Sequence, residues 1–498
     1  MPSQGYVRVE REGPKIRVET DQLWAEICPT GEYVSGVRTL YDKRTGARDL
    51  GFGLDIVDFL LESDPLVDPA APEEHRYPVG DEIHGNLYKS YVELPQICTR
   101  AQQLDWEIIE GSGYVAVRQG WQFTQATNGY VPGSRWEQTL VFVPGKRYFF
   151  ASDRVVSANH VGDLFLRLDL PGHLQHRQGD TFEQIYLSTQ GCISADQFQH
   201  NFPPDARFLY RRGVEPLPER LIRAYQIRTP DGSNPWLGAL CLHPRIVSEA
   251  WCHQRGYVCF ITELGRLPVN RGDMFSSAYI IGFFDSVTEM EEINDEFAGY
   301  SSLVATSQFW ALTEGVGVLD EEGNLQVVPQ GLGADKMTEG PWQGAAQHLD
   351  WRLMNVQEYG MDTVEKVAGE NSLWLRTGGV AMVEWDTEGD TKDMGYHSSL
   401  SFALKCDRPV DWLTTQVALG DHLGNECRYN FSLAPTVEWQ EVTIPLDQPV
   451  SRYGTFTLSR TSIVRFEFAA PSEYRLWLDN LRLLAPEEGR GFRTQVMS

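Results

Sequence analysis

The stretch Leu400-Ser-Phe402-Ala-Leu404-Lys-Cys406 decides the fold class of this chain, because its apolar residues recur at every second position. Side chains point to alternate sides of a β-strand, so these four apolar side chains would share one face. Trp439-Gln-Glu-Val442-Thr-Ile444-Pro-Leu446 repeats the alternation, and Arg475-Leu-Trp-Leu-Asp479-Asn480-Leu-Arg-Leu is predicted to be the final strand. Strand breaks about every ten residues from Trp351 to Leu484 predict a jelly roll.

The first 285 residues show the same strand-forming pattern. Apolar segments such as Leu164-Phe-Leu-Arg-Leu168 and Ala278-Tyr-Ile-Ile-Gly-Phe-Phe284 are separated by turn signals such as Pro171-Gly172. They predict a large antiparallel sandwich rather than a parallel α/β core. Ser286-Val-Thr-Glu289 matches a capping box and is followed by apolar residues at helical spacing, which predicts a helix from residue 286 to about 303.

Composition restricts the possible partners. The chain has 498 residues, of which 42% are hydrophobic and 22% charged, so it is expected to fold into at least two soluble domains. Its 43 basic and 69 acidic side chains give a formal charge of -26, which argues against nucleic acid or an anionic membrane as the main partner. The oligomeric state is left open.

The N-terminal sequence and the cysteines bear on the cellular compartment of the protein. The N-terminus lacks a signal-peptide pattern, and no apolar run approaches the roughly 20 residues of a membrane span. As read, the chain is expected to be cytoplasmic, or secreted if a leader has been removed from it. Its eight cysteines form no Cys-x-x-Cys pair, so free buried thiols are predicted.

The C-terminal pattern resembles the carbohydrate-binding-module type of jelly roll, often called galactose-binding-like. The resemblance rests on the segments Gly369 to Leu373, Trp439 to Leu446 and Leu478 to Leu481. In such modules the late Asp often helps to hold a structural calcium ion, which implies that role for Asp479. A capping or surface role for Asp479 is the alternative.

The first region resembles the galactose-mutarotase-like supersandwich of aldose epimerases, several glycoside hydrolases and polysaccharide lyases. His84-Gly85 and Arg271-Gly-Asp273, which leads into a strand, carry this resemblance. It implies an all-β chain with a large antiparallel β-supersandwich and short linking helix, followed by a β-jelly-roll domain. The predicted segments are a catalytic domain at 1–303, a connector at 304–345, the jelly roll at 346–486 and a tail at 487–498.

Two polar clusters in the first region are candidate parts of a site. In the first, His84 stands beside a glycine in a predicted loop, where it could approach a ligand closely; Lys89 and Tyr91 follow on the next strand. In the second, Arg167 precedes His173 and His176, which would form a polar rim that contacts substrate hydroxyls. A metal site at these histidines and plain loop histidines are the alternatives.

The third cluster is Trp251-Cys-His253-Gln-Arg255-Gly-Tyr257-Val-Cys259-Phe, read as one strand. It would place His253, Arg255 and Tyr257 on one face, as the wall of a cleft or as an ordinary solvent face. Uronate elimination needs a base, an acid and a group that neutralises the carboxylate. His84 or His253 is the candidate base, Arg255 the carboxylate clamp, and Tyr257 or Tyr91 the acid.

These residues predict a carbohydrate-active enzyme. The preferred activity is a polysaccharide lyase that cleaves a uronate-containing glycan by β-elimination, with no cofactor required for catalysis. Trp136 and Trp251 are candidate stacking platforms, together with Lys89, Arg167, His173 and His176 as substrate-binding residues. A glycoside hydrolase using a Glu or Asp pair and a non-catalytic glycan-binding protein are the alternatives; in each case the expected partner is a poly- or oligosaccharide.

Overall fold

The structure is a computed structural model, and it describes residues 5–63, 89–176, 181–203, 207–331, 351–368, 371–386, 393–458, 461–485 and 492–497. Within these residues the chain is all-β, as the alternating patterns predict, and the paired strands of every sheet run antiparallel. None of the described helices is long and apolar enough to cross a membrane.

Twenty strands build the first region. They are β1 Val7–Glu12, β2 Lys15–Thr20, β3 Leu23–Ile27, β4 Thr39–Asp42, β5 Ile56–Ser63, β6 Lys89–Leu94, β7 Asp105–Gly111, β8 Tyr114–Gln122, β9 Gln125–Ala126, β10 Arg135–Phe142, β11 Tyr148–Val156, β12 Val161–Gln175, β13 Phe182–Leu187, β14 Gly191–Ser194, β15 Tyr210–Arg211, β16 Leu221–Ile227, β17 Trp236–Cys241, β18 Val247–Gln254, β19 Tyr257–Val269 and β20 Met274–Phe284.

Two large sheets of this region share one apolar core. The nine-stranded sheet has the order β14-β13-β16-β17-β20-β11-β10-β8-β7, and the seven-stranded sheet has the order β15-β18-β19-β12-β5-β6-β9. Phe149 and Ile281 of the first sheet and Leu168 and Phe260 of the second belong to the same buried cluster. The seven-stranded sheet therefore turns its other face away from this core, and that face carries the candidate site.

The N-cap predicted at Ser286 is confirmed, while the Glu289 carboxylate accepts from the backbone N–H of Asp285 rather than from that of Ser286. The Ser286 side chain accepts a hydrogen bond from the Glu289 backbone N–H at 3.1 Å, and the helix α2 runs over Val287–Glu296. The short helix α1 covers Ile97–Arg100. Helix α2 ends earlier than predicted, because the chain after it returns to strand at Ser302.

The predicted connector and tail both contain strands. The range from 302 to 328 holds β21 Ser302–Ala305, β22 Trp310–Thr313, β23 Val316–Leu319 and β24 Leu325–Val328. In the tail, β36 Thr494–Met497 pairs with β22 and completes a three-stranded sheet. These segments are thus integrated into β structure instead of only lying across a surface.

The jelly-roll region consists of two sheets around a second buried cluster. The strands are β25 Trp351–Met354, β26 Glu358–Asp362, β27 Ser372–Thr377, β28 Val380–Asp386, β29 Ser399–Cys406, β30 Thr414–Gly420, β31 Glu426–Asn430, β32 Gln440–Pro445, β33 Ser451–Tyr453, β34 Ile463–Ala469 and β35 Tyr474–Leu484. The strand orders of the two sheets are β25-β28-β34-β30-β31-β33 and β26-β27-β35-β29-β32.

Buried contacts join the jelly roll to the first region. Arg212 and Asp393 form an ion pair at 3.0 Å in which both side chains are almost fully buried. Tyr396 is completely buried and belongs to the core cluster of the large sandwich.

Candidate functional site

An open cleft of about 650 Å³ lies over the outer face of the seven-stranded sheet. Its floor comes from strands β5, β12, β18 and β19, and its rim comes from the loop before β4 and from helix α1. The lining residues are Glu32, Tyr33, Asp58, Phe59, Gln96, Cys98, Thr99, Arg100, Arg167, His173, His253, Arg255, Tyr257, Cys259 and Ile261. Five residues singled out in the sequence thus line one cleft: Arg167, His173, His253, Arg255 and Tyr257.

The segment that contains His253 and Tyr257 is a hairpin, so its reading as one continuous strand was wrong. Strand β18 ends at Gln254 and β19 begins at Tyr257. Gly256 turns the chain with a φ of +85°, a conformation that glycine adopts without steric cost. Arg255 is therefore an exposed turn residue, while His253 and Tyr257 lie on adjacent strands.

Strand register brings the two histidines of the cleft into one row. Cys259 on β19 pairs with His253 on one side and with His173 on the other. Directly opposed residues of neighbouring antiparallel strands point to the same face of the sheet. The row His253–Cys259–His173 therefore crosses three strands, and the ring of Tyr257 has its centroid 5.3 Å from that of His173.

The imidazole of His173 lies beside the carboxyl group of Asp169. Its Nε2 lies 3.2 Å from Oδ2 of Asp169, which is fully buried, whereas the His173 side chain is 19% exposed. Burial lowers the pKa of His173 to about 4. Burial, and secondly the nearby charge of Asp58, raise the pKa of Asp169 well above its usual range. The imidazole is consequently neutral at ordinary pH, as a proton-accepting group requires.

Glycines allow the backbone to approach His173 closely. A β-bulge separates Asp169 from His173 in β12, and Gly172 there has a φ of +139°. A Cβ on Gly51 would lie 1.7 Å from the His173 carbonyl oxygen, and a Cβ on Gly172 would lie 2.0 Å from the Gly53 carbonyl oxygen. The segment 51–53 thus packs directly against the backbone of β12 and fixes where the imidazole stands.

Several residues of the cleft were not predicted from the sequence. Asp58 lines the floor, and its Oδ1 accepts hydrogen bonds from the Gln96 amide at 2.8 Å and from the Cys98 thiol at 3.1 Å. Burial and the Asp58 charge raise the pKa of the Cys98 thiol, so this cysteine is protonated and unreactive. Arg100, in the last turn of α1, is exposed at the rim. Nothing in the sequence around Arg100 indicates that it lies close to the histidines of the cleft.

A buried ion network borders the cleft on the same face of the sheet. Lys89 is fully buried and donates to Glu249 and Glu263, each at 2.9 Å. Arg167 donates to the same Glu263 oxygen at 2.7 Å. The indole of Trp251 lies 4.5 Å from the Lys89 nitrogen and 5.2 Å from the Arg167 guanidinium carbon. Strand register places Trp251 on the same sheet face as His253, so the network lies next to the cleft on that face. Lys89, Arg167 and Trp251 were all predicted to bind substrate, but among these three only Arg167 lines the cleft.

The structure places the other predicted residues away from the cleft. Trp136 is fully buried in the core between the large sheets, where its Nε1 donates to Asp153 at 2.8 Å. Tyr91 is buried against Phe59. His176 is buried beside Thr181 and Phe182 rather than exposed on a rim. Alternation in a sequence does not reveal which sheet face is covered, and all three side chains lie on covered faces. His84 lies outside the described residues.

The carboxylate of Asp479, the predicted calcium ligand, accepts backbone hydrogen bonds. Its two carboxylate oxygens accept backbone N–H groups from Val367 at 2.5 Å, Ala368 at 3.1 Å and Asn480 at 2.7 Å. Calcium prefers oxygen ligands, so these surroundings fit a loop-holding carboxylate rather than a cation site. In the described part of the chain no three His, Cys, Asp or Glu residues are grouped as metal ligands would be. The calcium prediction stays untested.

Comparisons with known proteins give distant structural similarity alone. No family model and no curated protein matches the chain. A Family 30 carbohydrate-binding module is 17% identical over 27% of this chain and 77% of its own, with a TM-score of 0.23. A Family 11 module from Clostridium thermocellum, in complex with a mixed-linked tetrasaccharide, is 15% identical over 30% of this chain and 94% of its own, with a TM-score of 0.23.

A larger part of the chain aligns with the 4-alpha-glucanotransferase from Thermococcus litoralis. That match is 11% identical and covers 56% of this chain and 39% of the other, with a TM-score of 0.31. Matches at these scores carry no argument about function.

Proposed function

We propose that this protein is a carbohydrate-active enzyme, a polysaccharide lyase that cleaves a uronate-containing glycan by β-elimination in the cleft over the seven-stranded sheet. The observation that carries the proposal is that a neutral histidine, His173, lies beside a tyrosine, Tyr257, in an open cleft with an arginine at its edge. A proton acceptor, a proton donor and a cation are the three groups that this elimination requires.

His173 is assigned as the base. Its Nε2 lies 3.2 Å from Oδ2 of Asp169, whereas its Nδ1 is buried without a hydrogen-bond partner among the described residues, so Nε2 is the nitrogen that we assign to accept the proton. The base removes the proton from C5 of the uronate. The electron pair of that C–H bond forms the C4=C5 double bond, and the C4–O bond to the leaving sugar breaks. His253, in the same row, is the alternative base.

Tyr257 is assigned as the acid. Its ring is half-buried on the wall of the cleft beside His173, and its phenol would protonate the departing oxygen. The proton taken by His173 and the proton given by Tyr257 balance, so water restores both groups after each turnover. Neither step calls for a redox cofactor.

Arg255 is assigned as the carboxylate clamp. It is exposed in the hairpin turn, and Arg100 on α1 also lines the cleft. The C5 proton becomes acidic only when the uronate carboxylate is neutralised, and a guanidinium does this with two parallel hydrogen bonds. Together with Arg167, these two arginines outnumber the lining carboxylates Glu32 and Asp58, so the cleft is less acidic than the chain as a whole.

The hydrolase alternative has weaker support. Two carboxylates, Glu32 and Asp58, line the cleft, but an Asp58 oxygen already accepts hydrogen bonds from Gln96 and Cys98. Other glutamates of the first region, Glu93, Glu137, Glu183, Glu249 and Glu263, do not line the cleft in the described structure. Glu249 and Glu263 are paired with the buried Lys89.

Incubation with uronate polysaccharides such as polygalacturonate, alginate and chondroitin tests the proposal. Elimination leaves an unsaturated sugar whose ultraviolet absorbance is followed continuously, and we expect that absorbance to rise with at least one substrate. New reducing ends without it would show a hydrolase instead. Retention of a glycan without any turnover would show a binding protein, and in either case the lyase proposal would be abandoned.

A further inference from the structure

Tyr33 stands on the rim of the cleft in a backbone conformation that tyrosine rarely adopts. Its φ is +56°, in the left-handed region, and its side chain is 39% exposed. Residues other than Gly, Asn and Asp avoid this region because Cβ clashes with the backbone. A bulky aromatic in that conformation is therefore a reason to look for a function.

Neighbouring backbone imposes the conformation of this loop. The Gly31 N–H donates to the Gln102 carbonyl at 2.7 Å, and the Val34 N–H donates to the Cys98 carbonyl at 2.9 Å. Gly36 donates to the Gln138 side chain at 2.7 Å. The loop is thus fixed on both sides of Tyr33, and its bonds use the main chain, so the tyrosine side chain itself is not what holds the loop.

The ring of Tyr33 continues the aromatic wall of the cleft. It stacks on Phe52, with the ring centroids 5.8 Å apart and the planes at 18°. Phe52 in turn meets Tyr257 at 5.7 Å and His173 at 6.0 Å, both edge-on. Phe52 thereby sets the plane of the Tyr33 ring and connects it to the two residues assigned to proton transfer.

We infer that Tyr33 is a stacking platform for a pyranose ring of the substrate, next to the sugar that is cleaved. A pyranose has an apolar C–H face that packs on a flat aromatic ring, and ligand clefts are lined by such rings with a few polar groups. Both the exposure and the fixed plane of Tyr33 suit this role. The inference rests on the proposed function for its assignment to the substrate, but saccharide binding tests it separately.

The experiment replaces Tyr33 by glycine and uses Gln102 as the matched control. Gln102 has the same φ of +56°, is exposed, and does not line the cleft. Glycine accepts this conformation, so Tyr33→Gly and Gln102→Gly should shift the melting temperature by similar amounts, within about 4 °C of each other. Tyr33→Phe keeps the ring and should keep binding.

Binding is measured by titration calorimetry with tetrasaccharides of galacturonate, mannuronate, β-linked glucose and β-linked xylose. Saccharides that are turned over are titrated in the His173→Ala background. We expect Tyr33→Gly to weaken binding at least tenfold, while Gln102→Gly and Tyr33→Phe bind as the parent protein does.

Three results would overturn the inference. The first is an unchanged saccharide affinity in Tyr33→Gly. The second is a much larger fall in melting temperature for Tyr33→Gly than for Gln102→Gly, which would indicate a structural role. The third is the absence of saccharide binding by the wild-type protein. Saccharide binding that depends on Tyr33 without any unsaturated product would support the platform and refute the lyase.

Discussion

His173 Nε2 lies 3.2 Å from Asp169 Oδ2, at the point where β12 bulges towards the cleft. Asp169 is completely buried, and its pKa is raised by burial and by the charge of Asp58, while the charges of Arg167 and Arg223 oppose that rise. The imidazole therefore packs against a buried carboxyl group and stays unprotonated. A ring held in place and kept neutral is the form in which histidine acts as a general base.

The first prediction concerns the pH dependence of activity. Burial lowers the pKa of His173 from its ordinary value of 6.5 to about 4, so the base form is present above that pH. We expect kcat/KM to fall on the acid side near pH 4 rather than near pH 6.5. Initial rates measured across the range from pH 4 to pH 6.5 give this pH profile. An acid limb close to pH 6.5 would point to a more solvated histidine as the base.

The same shift has a consequence for stability. The unfolded chain takes up a proton at the ordinary histidine pKa, whereas the folded chain resists protonation until about pH 4. The contribution of His173 to stability is therefore complete above pH 6.5 and is lost as the pH falls through this window.

The second prediction assigns proton transfer to two side chains. His173→Ala and Tyr257→Phe should each reduce kcat at least about a hundredfold, as expected for loss of a general base or acid. His253→Ala, made in parallel, shows whether the other histidine of the row is the base. His160 is the control, because it is exposed and its Nδ1 contacts Asn270 away from the cleft. Losses below about threefold in both variants, with folding intact, would remove proton transfer from these residues.

The third prediction concerns Gly51. A Cβ at this position would lie 1.7 Å from the His173 carbonyl oxygen, so Gly51→Ala must displace the backbone of β12 or of residues 51–53. We expect the free energy of unfolding to fall by about 2 kcal/mol or more, and kcat to fall with it. Gly379→Ala is the control, because its added Cβ would meet its nearest atom at 3.5 Å. Equal stability of the two variants, measured by urea unfolding, would contradict the close packing.

The fourth prediction tests the buried ion network beside the cleft. Lys89→Met would leave two buried carboxylates, Glu249 and Glu263, short of a cation, and removal of one partner from a buried pair costs about 3–5 kcal/mol. Lys405→Met is the control, because its pair with Glu365 is partly exposed and should contribute about 1 kcal/mol at most. Chemical unfolding compares the two. Similar losses would show that Lys89 is not held as described.

The fifth prediction concerns a carboxyl pair in the main core. Burial, and secondly the charge of Asp153, raise the pKa of Asp55. A raised pKa means that the folded state binds its proton more tightly, so the pair favours folding at low pH and loses that contribution as the pH rises. Asp55→Asn should therefore raise the melting temperature at pH 8 and change it little at pH 4.5. Asparagine also accepts the φ of +61° found there. A lower melting temperature at pH 8 would refute the pairing.

Local sequence patterns predicted the fold class because alternation is a local property. The run from Leu400 to Cys406 is strand β29, and its apolar side chains face the second core. The same reasoning failed at Arg255, where a single Gly turns the chain, because an Arg-Gly pair inside an alternating run resembles a strand. It also could not separate a covered face from an open one, as Trp136 shows.

The candidate site could be predicted only in part, because its geometry depends on register between distant strands. His253 and His173 each pair with Cys259, and nothing local in the sequence indicates that these three positions are in register. Asp169 looked like an ordinary strand residue, and its role becomes visible only once the bulge brings His173 back to it. Tyr33 and Phe52 lie in loops far from the histidines, so their stacking carried no signal in the sequence.

Strand β36 makes completion of the three-stranded sheet depend on synthesis of the jelly roll. Trp310 on β22 pairs with Met497, so the three-stranded sheet is complete only after the entire jelly roll has been translated. Contacts between such distant positions form slowly, because a long intervening loop must close first. On the ribosome the large sandwich would therefore emerge with β22 unpaired along one edge, and a nascent chain stalled before residue 494 would expose that edge to other chains.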